Sequence, residues 1–296
     1  RWQVKHQGIC WSVSFWQNGN LDQSELIFQN HKEFYMREII LITGASSGIG
    51  YEMAKQLAQE KYDLILVARR LENLELLKAS LEERYGITVY PIRADLSDVQ
   101  QAATLYQDIV DKGLKVRMLV NNAGFGEYGL FTDISLEKQL EMIQVNISSL
   151  VVLSRLFLAD MKKEGRGTVM NVASLLAYLP FPYYAVYSAT KSFVLAFTET
   201  VAAELEGTGV EVKTLCPGPV ATEFNTQAML NTNAYKSNKP IPALDAAKIA
   251  VRHLLQGKGT KMVGFNNLFI SKLPNFTPGG IMMKIKKKLA SQRGNI

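Results

Sequence analysis

The 296-residue chain is 47% hydrophobic and 20% charged, the balance of a folded globular protein and not of a disordered or collagenous one. Its longest apolar run, around Leu150 to Ala159, is broken by Arg155 and falls short of the roughly 18 residues a membrane-spanning helix needs, so no span is expected. Two cysteines (Cys10, Cys216) and three histidines (His6, His31, His253) exclude a disulfide framework and a Cys/His zinc cluster, and no metal site is expected. The net charge of +6 is local: Lys284, Lys286, Lys287, Lys288 and Arg293 supply five of it, leaving +1 for the rest, which argues against a nucleic-acid partner.

Residues 1–35 hold all the tryptophans (Trp2, Trp11, Trp16) and have neither the basic-then-apolar pattern of a signal peptide nor the Arg-rich pattern of a transit peptide. Met36 directly precedes a hydrophobic strand, so 1–35 are expected to be an N-terminal extension outside the fold: translated upstream sequence or an appendage, with a small docking arm as the alternative. A cytoplasmic location is expected.

From Met36 onward, short β-rich runs alternate with helical patterns. The predicted strands are Ile39 to Thr43, Asp63 to Ala68, Thr88 to Ile92, Met118 to Asn121, Gly167 to Val172, Val210 to Leu215 and Lys261 to Phe265. Amphipathic helices are predicted at Leu136 to Lys163 and at Tyr184 to Leu205, the latter closed by Gly207 and Gly209. This alternation predicts one doubly wound, Rossmann-type α/β domain over 36–266, a seven-stranded parallel sheet with helices on both faces. Residues 267–296 follow as a helical extension with a basic tail.

The first strand runs into Thr43, Gly44, Ala45, Ser46, Ser47, Gly48, Ile49 and Gly50, and a helical pattern opens behind them. Glycines between a strand and a helix let backbone N–H groups approach a pyrophosphate at the positive helix end. The spacing G-x-x-x-G-x-G departs from the G-x-G-x-x-G fingerprint, and taken alone it could be a tight turn. After the second strand, where an acidic residue would bind the ribose hydroxyl of NAD, the chain has Ala68, Arg69 and Arg70. Both arginines could simply be solvated residues opening the next helix, but a guanidinium beside a phosphate pocket gains a bidentate partner, so NADP(H) is favoured over NAD.

Ser174 ends the fifth strand, at the sheet edge where ligands bind, and Tyr187 and Lys191 follow four residues apart on one helix face. Pro180 and Pro182 hold the intervening segment out of the helix, so that Tyr187 can return towards Ser174. Carbonyl reduction needs a proton donor at the oxygen; an adjacent ammonium is expected to lower the tyrosine pKa, and a serine hydroxyl can polarise the substrate. By itself the Tyr–Lys pair could equally be a surface pair.

The joint pattern resembles the short-chain dehydrogenase/reductase superfamily from about Ile39 to Phe265: Thr43-Gly44-x-x-x-Gly48-Ile49-Gly50, Asp95-Leu96, Asn121-Asn122-Ala123-Gly124, Asn146, Ser174, Tyr187-x-x-x-Lys191 and Pro217-Gly218, in the family's order and at its separations. The resemblance implies an NADP(H)-dependent oxidoreductase interconverting a carbonyl and a secondary alcohol by hydride transfer, of the broad bacterial type near 3-ketoacyl reductases and hydroxysteroid dehydrogenases. It implies Tyr187 as acid/base, Lys191 as the group that holds the nicotinamide ribose and tunes the tyrosine, Ser174 as the carbonyl-orienting hydroxyl and Asn146 as the fourth member. It further implies that Asp95 and Leu96 meet the adenine, Asn122, Ala123 and Gly124 wall the adenosine ribose, and Pro217, Gly218, Val220 and Thr222 lie by the carboxamide. The glycine turn, with Ser46, Ser47 and Ile49, and Arg69 complete the cofactor set. The rival is an NADP(H)-sensing binding protein without turnover, against which the retained Ser174, Tyr187 and Lys191 argue.

The segments expected to wall the substrate contain Phe125, Tyr128, Leu175, Leu176, Phe181, Tyr183, Tyr184, Phe224 and Met229, suggesting a bulky apolar substrate, although apolar residues are also ordinary core. Similar enzymes form homodimers or homotetramers through their long helices. Near the C terminus, Thr277 and Pro278 are expected as N-cap and first helical residue, with Ile281, Met282, Ile285 and Leu289 on one stripe and the lysines largely away from it. Two readings stand: a helix docked on protein, or a weak membrane-surface contact.

Overall fold

The computed structural model describes residues 37–237 and 239–292, so the expected extension at 1–35 lies outside the described residues. The strands are β1 (Ile39–Thr43), β2 (Asp63–Ala68), β3 (Val89–Arg93), β4 (Val116–Asn121), β5 (Gly167–Val172), β6 (Val210–Cys216), the two-residue β7 (Val220–Ala221) and β8 (Ile241–Pro242), and β9 (Thr260–Met262). The helices are α1 (Gly48–Gln59), α2 (Leu71–Tyr85), α3 (Val99–Asp111), α4 (Leu136–Ile143), α5 (Ser149–Glu164), α6 (Ala185–Glu204), α7 (Gln227–Leu230), α8 (Asn233–Ser237), α9 (Ala243–Gln256), α10 (Phe265–Phe276) and α11 (Gly279–Ala290). Seven strands pair in the order β3-β2-β1-β4-β5-β6-β9, all parallel, and β7 and β8 form a separate ladder.

Side-chain alternation along the central strands divides the core into two layers. Ile40 and Ile42 of β1 and Leu64 and Leu66 of β2 pack with Met53, Ala54 and Leu57 of α1 and Ala246, Ala250 and Leu254 of α9. Leu41, Ile65 and Val67 face the other way, onto Leu105 and Ile109 of α3 and Leu153, Phe157 and Met161 of α5. β1 and β5 are buried at every position, as strands covered on both sides must be. Strand order reverses between β1 and β4, which opens a crevice at their carboxyl ends.

Three local expectations change. The run at Lys261 to Phe265 is a strand only at Thr260–Met262, because Gly264 takes φ +93° and α10 begins at Phe265. The helix from Leu136 continues to Glu164 through a π-helical turn at Gln144–Ser148, and at 29 residues it is long and apolar enough, by composition, to cross a bilayer. Its buried Leu150, Leu153, Phe157, Leu158 and Met161 are core residues here. Finally, α11 begins at Gly279 with Pro278 in the N-cap position, and Thr277 donates its hydroxyl to Leu273 O at 2.9 Å, closing α10 instead of capping α11. The expected stripe on α11 is also split: Met282 is buried and Leu289 partly so, Lys286 turns inward, and Ile281 and Ile285 are exposed.

Candidate active site

The crevice is a cleft of about 620 Å³ running from the glycine turn to the loops after β5 and β6. Gly44 and Gly48 take φ +67° and +60°, the left-handed region that favours glycine. A Cβ on Gly44 would lie 2.9 Å from Ala123 Cα. A Cβ on Gly50 would lie 2.5 Å from both Asn122 Nδ2 and Gly44 O, so Gly50 permits close helix–turn packing and does not itself line the cleft. Ser47, the N-cap of the 12-residue α1, makes no side-chain capping bond. The helix's orphan N–H groups therefore remain for a ligand at the cleft, an arrangement that fits a pyrophosphate.

The turn is tied to the end of β4. Thr43 Oγ1 accepts from the N–H groups of Asn122 and Ala123, both at 3.0 Å, and Asn122 Nδ2 donates to Thr43 O at 2.9 Å and Gly44 O at 3.2 Å. One step into the sheet, Asn121 Nδ2 donates to Ser154 Oγ and Asn171 Oδ1, and Asn171 Nδ2 donates to Thr198 Oγ1. This buried polar ladder was not anticipated from sequence. Its signal was available as two asparagines at the ends of otherwise apolar runs, paired in register across β4 and β5.

At the other end, Arg69 pairs with Glu141 at 3.6 Å, and Arg70 donates to Ser46 Oγ at 3.2 Å and pairs with Glu223 at 3.0 Å. All four groups are partly or largely solvated, so these contacts are weak. Burial alone would raise the Asp95 carboxyl, but N–H and hydroxyl donation from Ser97, with Arg69 and Arg93 nearby, holds it below its ordinary value. Asp95 and Leu96 line the cleft, as do Ser46, Ser47, Gly48, Ile49, Asn122, Ala123 and Gly124.

Ser174, Tyr187 and Lys191 converge where β5 ends, all within the cleft wall. Ser174 starts a 3₁₀ turn at Leu175–Ala177 and accepts from Leu176 N at 3.1 Å; its side chain also hydrogen-bonds with the Tyr187 phenol. Lys191 is buried, donates from Nζ to Val172 O at 2.8 Å and sits 5.9 Å from the Tyr187 ring centre. Asn146 lies behind the wall within the π turn. It donates to Phe125 O and Thr190 Oγ1, both at 3.0 Å, and accepts from Phe125 N at 3.1 Å. Thr190, whose hydroxyl donates to Tyr187 O at 2.8 Å, links Asn146 to the tyrosine's helix and went unnoticed in the sequence.

The expected lowering of the Tyr187 pKa is not what this geometry produces. Burial pushes the phenol up to about 12, against a smaller opposing effect of the Ser174 hydrogen bond, and burial pulls Lys191 down to about 8. Both groups share one desolvated pocket, so each is shifted towards its neutral form. At neutral pH the phenol is therefore protonated.

Pro217, Gly218, Val220 and Thr222 line the cleft beside these residues. Of the side chains expected around the substrate, Phe125, Leu176, Phe181, Tyr184, Phe224 and Met229 line it, whereas Tyr128, Leu175 and Tyr183 do not. Leu175 is core, Tyr183 packs behind the wall, and Tyr128 reaches across to donate to Ala290 O at 2.8 Å. Glu127 lines the same end, while the cationic lining residues are Arg69, Arg70 and Lys191. Cys216 is fully buried with its thiol pushed up to about 12 by desolvation, and His253 is a buried structural group hydrogen-bonded to Gly259 O.

The sequence matches the family described as short chain dehydrogenase over residues 38–233. It is 30% identical to an NADP-dependent 3-hydroxy acid dehydrogenase of Schizosaccharomyces pombe, across 71% of this chain and 84% of that protein. Identity is also 30% with a very-long-chain 3-oxoacyl-CoA reductase of Anas platyrhynchos, across 85% of this chain and 81% of the relative. Among solved structures, an alcohol dehydrogenase from Thermococcus sibiricus complexed with 5-hydroxy-NADP superposes with a TM-score of 0.68 at 27% identity, covering 77% of this chain and 96% of that one. With the glycine turn, the switch-point cleft and the Ser–Tyr–Lys cluster gathered at the carboxyl edge of one parallel sheet, the chain belongs to the short-chain dehydrogenase family.

Proposed function

We propose that this chain is an NADP(H)-dependent oxidoreductase that interconverts a carbonyl and a secondary alcohol on an apolar substrate, with Tyr187 as acid/base. The observation that carries the reading is the convergence of Ser174, Tyr187 and Lys191 in the same cleft as the uncapped α1 N-terminus and the glycine turn. When bound, the nicotinamide supplies or accepts the hydride at the carbonyl carbon. The chain's own residues do the rest. The first turn of α1 with Ser46 and Ser47 holds the pyrophosphate, Arg69 takes the 2′-phosphate, and Asp95, Leu96 and Asn122 to Gly124 wall the adenosine. Ser174 orients the substrate oxygen, Tyr187 gives it a proton during reduction, and Lys191 holds the ribose. Asn146 positions the Gly124–Phe125 segment beside the lysine through its bonds to Phe125. The name of the S. pombe relative supports NADP(H), as does Arg69 where an acidic residue would favour NAD.

An apolar, uncharged substrate is supported by Phe125, Leu176, Phe181, Tyr184, Phe224 and Met229 around Glu127, with no cation beyond the cofactor end among the described lining residues. We place the catalytic unit at 36–266, the N-terminal extension at 1–35 and the helical extension at 267–296. The same reading takes the protein as a homodimer or homotetramer, for which exposed Leu136, Leu140 and Phe193 on the long helices offer surface. A cytoplasmic location suits the buried free thiol of Cys216, and the basic C terminus touches membrane surfaces weakly. Tyr187→Phe tests the core of the proposal: it should retain NADPH binding and lose carbonyl reduction by at least about a hundredfold. Near-wild-type turnover in that variant would overturn it.

A further inference from the structure

After Asp245 the sequence runs 51 residues to its end without an aspartate or glutamate, and that stretch contains ten lysines and arginines. Since the whole chain carries +6, the 245 residues before it are net −4. Charge is therefore polarised along the sequence, and the last part of the cationic stretch, over α10 and α11, also carries a group of exposed apolar side chains. On α10, Leu268, Leu273 and Phe276 are exposed, Phe276 at 85%; on α11, Ile281, Met283 and Ile285 are exposed. Ile281, Lys284, Ile285 and Lys288 follow one another at three- and four-residue spacing and share the outer helix face.

The inner side of α11 is already committed. Met282 and Ala290 pack with Leu179 and Phe181, and the end of the helix is held by Asn233, which donates to Lys288 O at 3.1 Å, and by Tyr128 at Ala290 O. Docking on its own chain thus accounts for one side of the helix and leaves the mixed apolar and lysine face unused.

We propose that this outer face of α10 and α11 docks on an anionic lipid surface, with Leu273, Phe276, Ile281 and Ile285 entering the headgroup boundary and Lys272, Lys284, Lys287 and Lys288 meeting the lipid phosphates. The proposal deepens, and rests on, the weak membrane contact in the functional reading above. Interfacial helices combine these features: bulky apolar groups at the boundary and long lysine stems that reach the headgroups. A symmetric pairing of two copies through this face would set lysine against lysine with no acidic residue on either helix to compensate. Nucleic acid would take the lysines and leave exposed Phe276, Ile281 and Ile285 without partners.

The test is sedimentation of the full chain with vesicles of phosphatidylcholine alone and of phosphatidylcholine mixed with phosphatidylglycerol, at low and physiological salt. Binding is expected with the anionic vesicles only, weakening as salt rises, with about a fivefold loss for each of Lys284→Glu, Lys287→Glu and Lys288→Glu. Phe276→Ser and Ile285→Ser should each release the protein while leaving turnover of a water-soluble carbonyl unchanged. Tyr187→Phe should bind vesicles as the wild type does, so failure of the catalytic reading and failure of lipid docking register separately. No binding to anionic vesicles at low salt, binding indifferent to the serine variants, or a self-association that the glutamate variants alter in place of vesicle binding would overturn the proposal.

Discussion

The two halves of the cleft are built on different principles. The cofactor half is backbone-rich: two left-handed glycines, an uncapped helix end and Thr43 and Asn122 strapping one turn to the next strand. The half proposed for the substrate is side-chain-rich, assembled from Phe125, Leu176, Phe181, Tyr184, Phe224 and Met229, which come from three segments: the loop after β4, the stretch between β5 and α6, and the stretch from β7 into α7. Backbone geometry demands particular residues at particular spacings, whereas an apolar wall accepts many shapes. In the proposed function, the first half therefore defines a chemistry and the second selects what is presented to it.

The sharpest way to break this division lies where the halves meet. Lys191→Met should cost at least about a hundredfold in carbonyl reduction and also weaken NADPH binding, because in the proposed function the residue serves both sides. The same variant makes a pH test. Lys191 is held near 8 in the folded protein, below its ordinary 10.5, so between those values the unfolded chain binds the extra proton and the Lys191 contribution to stability rises with pH. Thermal melts across that window should show the wild type gaining stability relative to Lys191→Met as pH rises, a comparison in which the opposite effects of the raised Cys216 and Tyr187 pKa values cancel. Wild-type reduction should fall as pH climbs through about 8, as the ammonium is lost.

Next in size is cofactor choice. The Arg69 side chain is 65% exposed and only loosely paired with Glu141, so it is free to turn to a phosphate. A charge-assisted contact there favours NADPH over NADH by roughly 1.5 to 3 kcal/mol, about ten- to a hundredfold, and Arg69→Asp should reverse the order of kcat/KM. A wild-type enzyme that uses NADH as well as NADPH would remove Arg69 from the cofactor half.

How much of this was legible in the sequence follows the same division. β1, β2 and β5 fall where their apolar runs predict, because strands buried on both faces leave a continuous hydrophobic signature bounded by turn residues. The edge strand β3 is displaced by one residue, to Val89–Arg93, where partial exposure blurs the pattern. Tyr187 and Lys191 were readable because one helix carries both. Asn146 was read only through resemblance; the π turn that aims it and the Thr190 bond that holds it have no local signature. Three of the nine expected substrate side chains proved to be packing residues, since apolarity alone cannot separate a wall from the core behind it. Lys286 turns inward although the apolar spacing along α11 put the lysines largely away from its buried side, because α11 packs against α8, a tertiary contact that spacing along one helix does not contain.

The substrate half can be sharpened through Glu127. A carboxylate brought within about 4 Å of it costs about 1 kcal/mol even at the dielectric of water, so a neutral ketone should be reduced about fivefold more efficiently than a keto acid of the same carbon skeleton. Glu127→Gln should erase that difference and leave the neutral ketone unchanged. A wild type that prefers the acid would show that the substrate half is not selecting by charge.

The smallest expected effect concerns the region preceding the fold. No motif residue, strand or cleft-lining group named above comes before Met36, and β1 begins three residues later at Ile39. The sheet order places β1 in the interior, hydrogen-bonded to β2 on one side and β4 on the other, so neither edge of the first strand is left unpaired. A chain beginning at Met36 should therefore keep its melting temperature and its kcat/KM for both cofactor and ketone within experimental error. Side-by-side melts and kinetics of the two lengths decide the point. A lower melting temperature would make residues 1–35 a docking arm, and an unchanged one with altered ketone kinetics would place them at the substrate half.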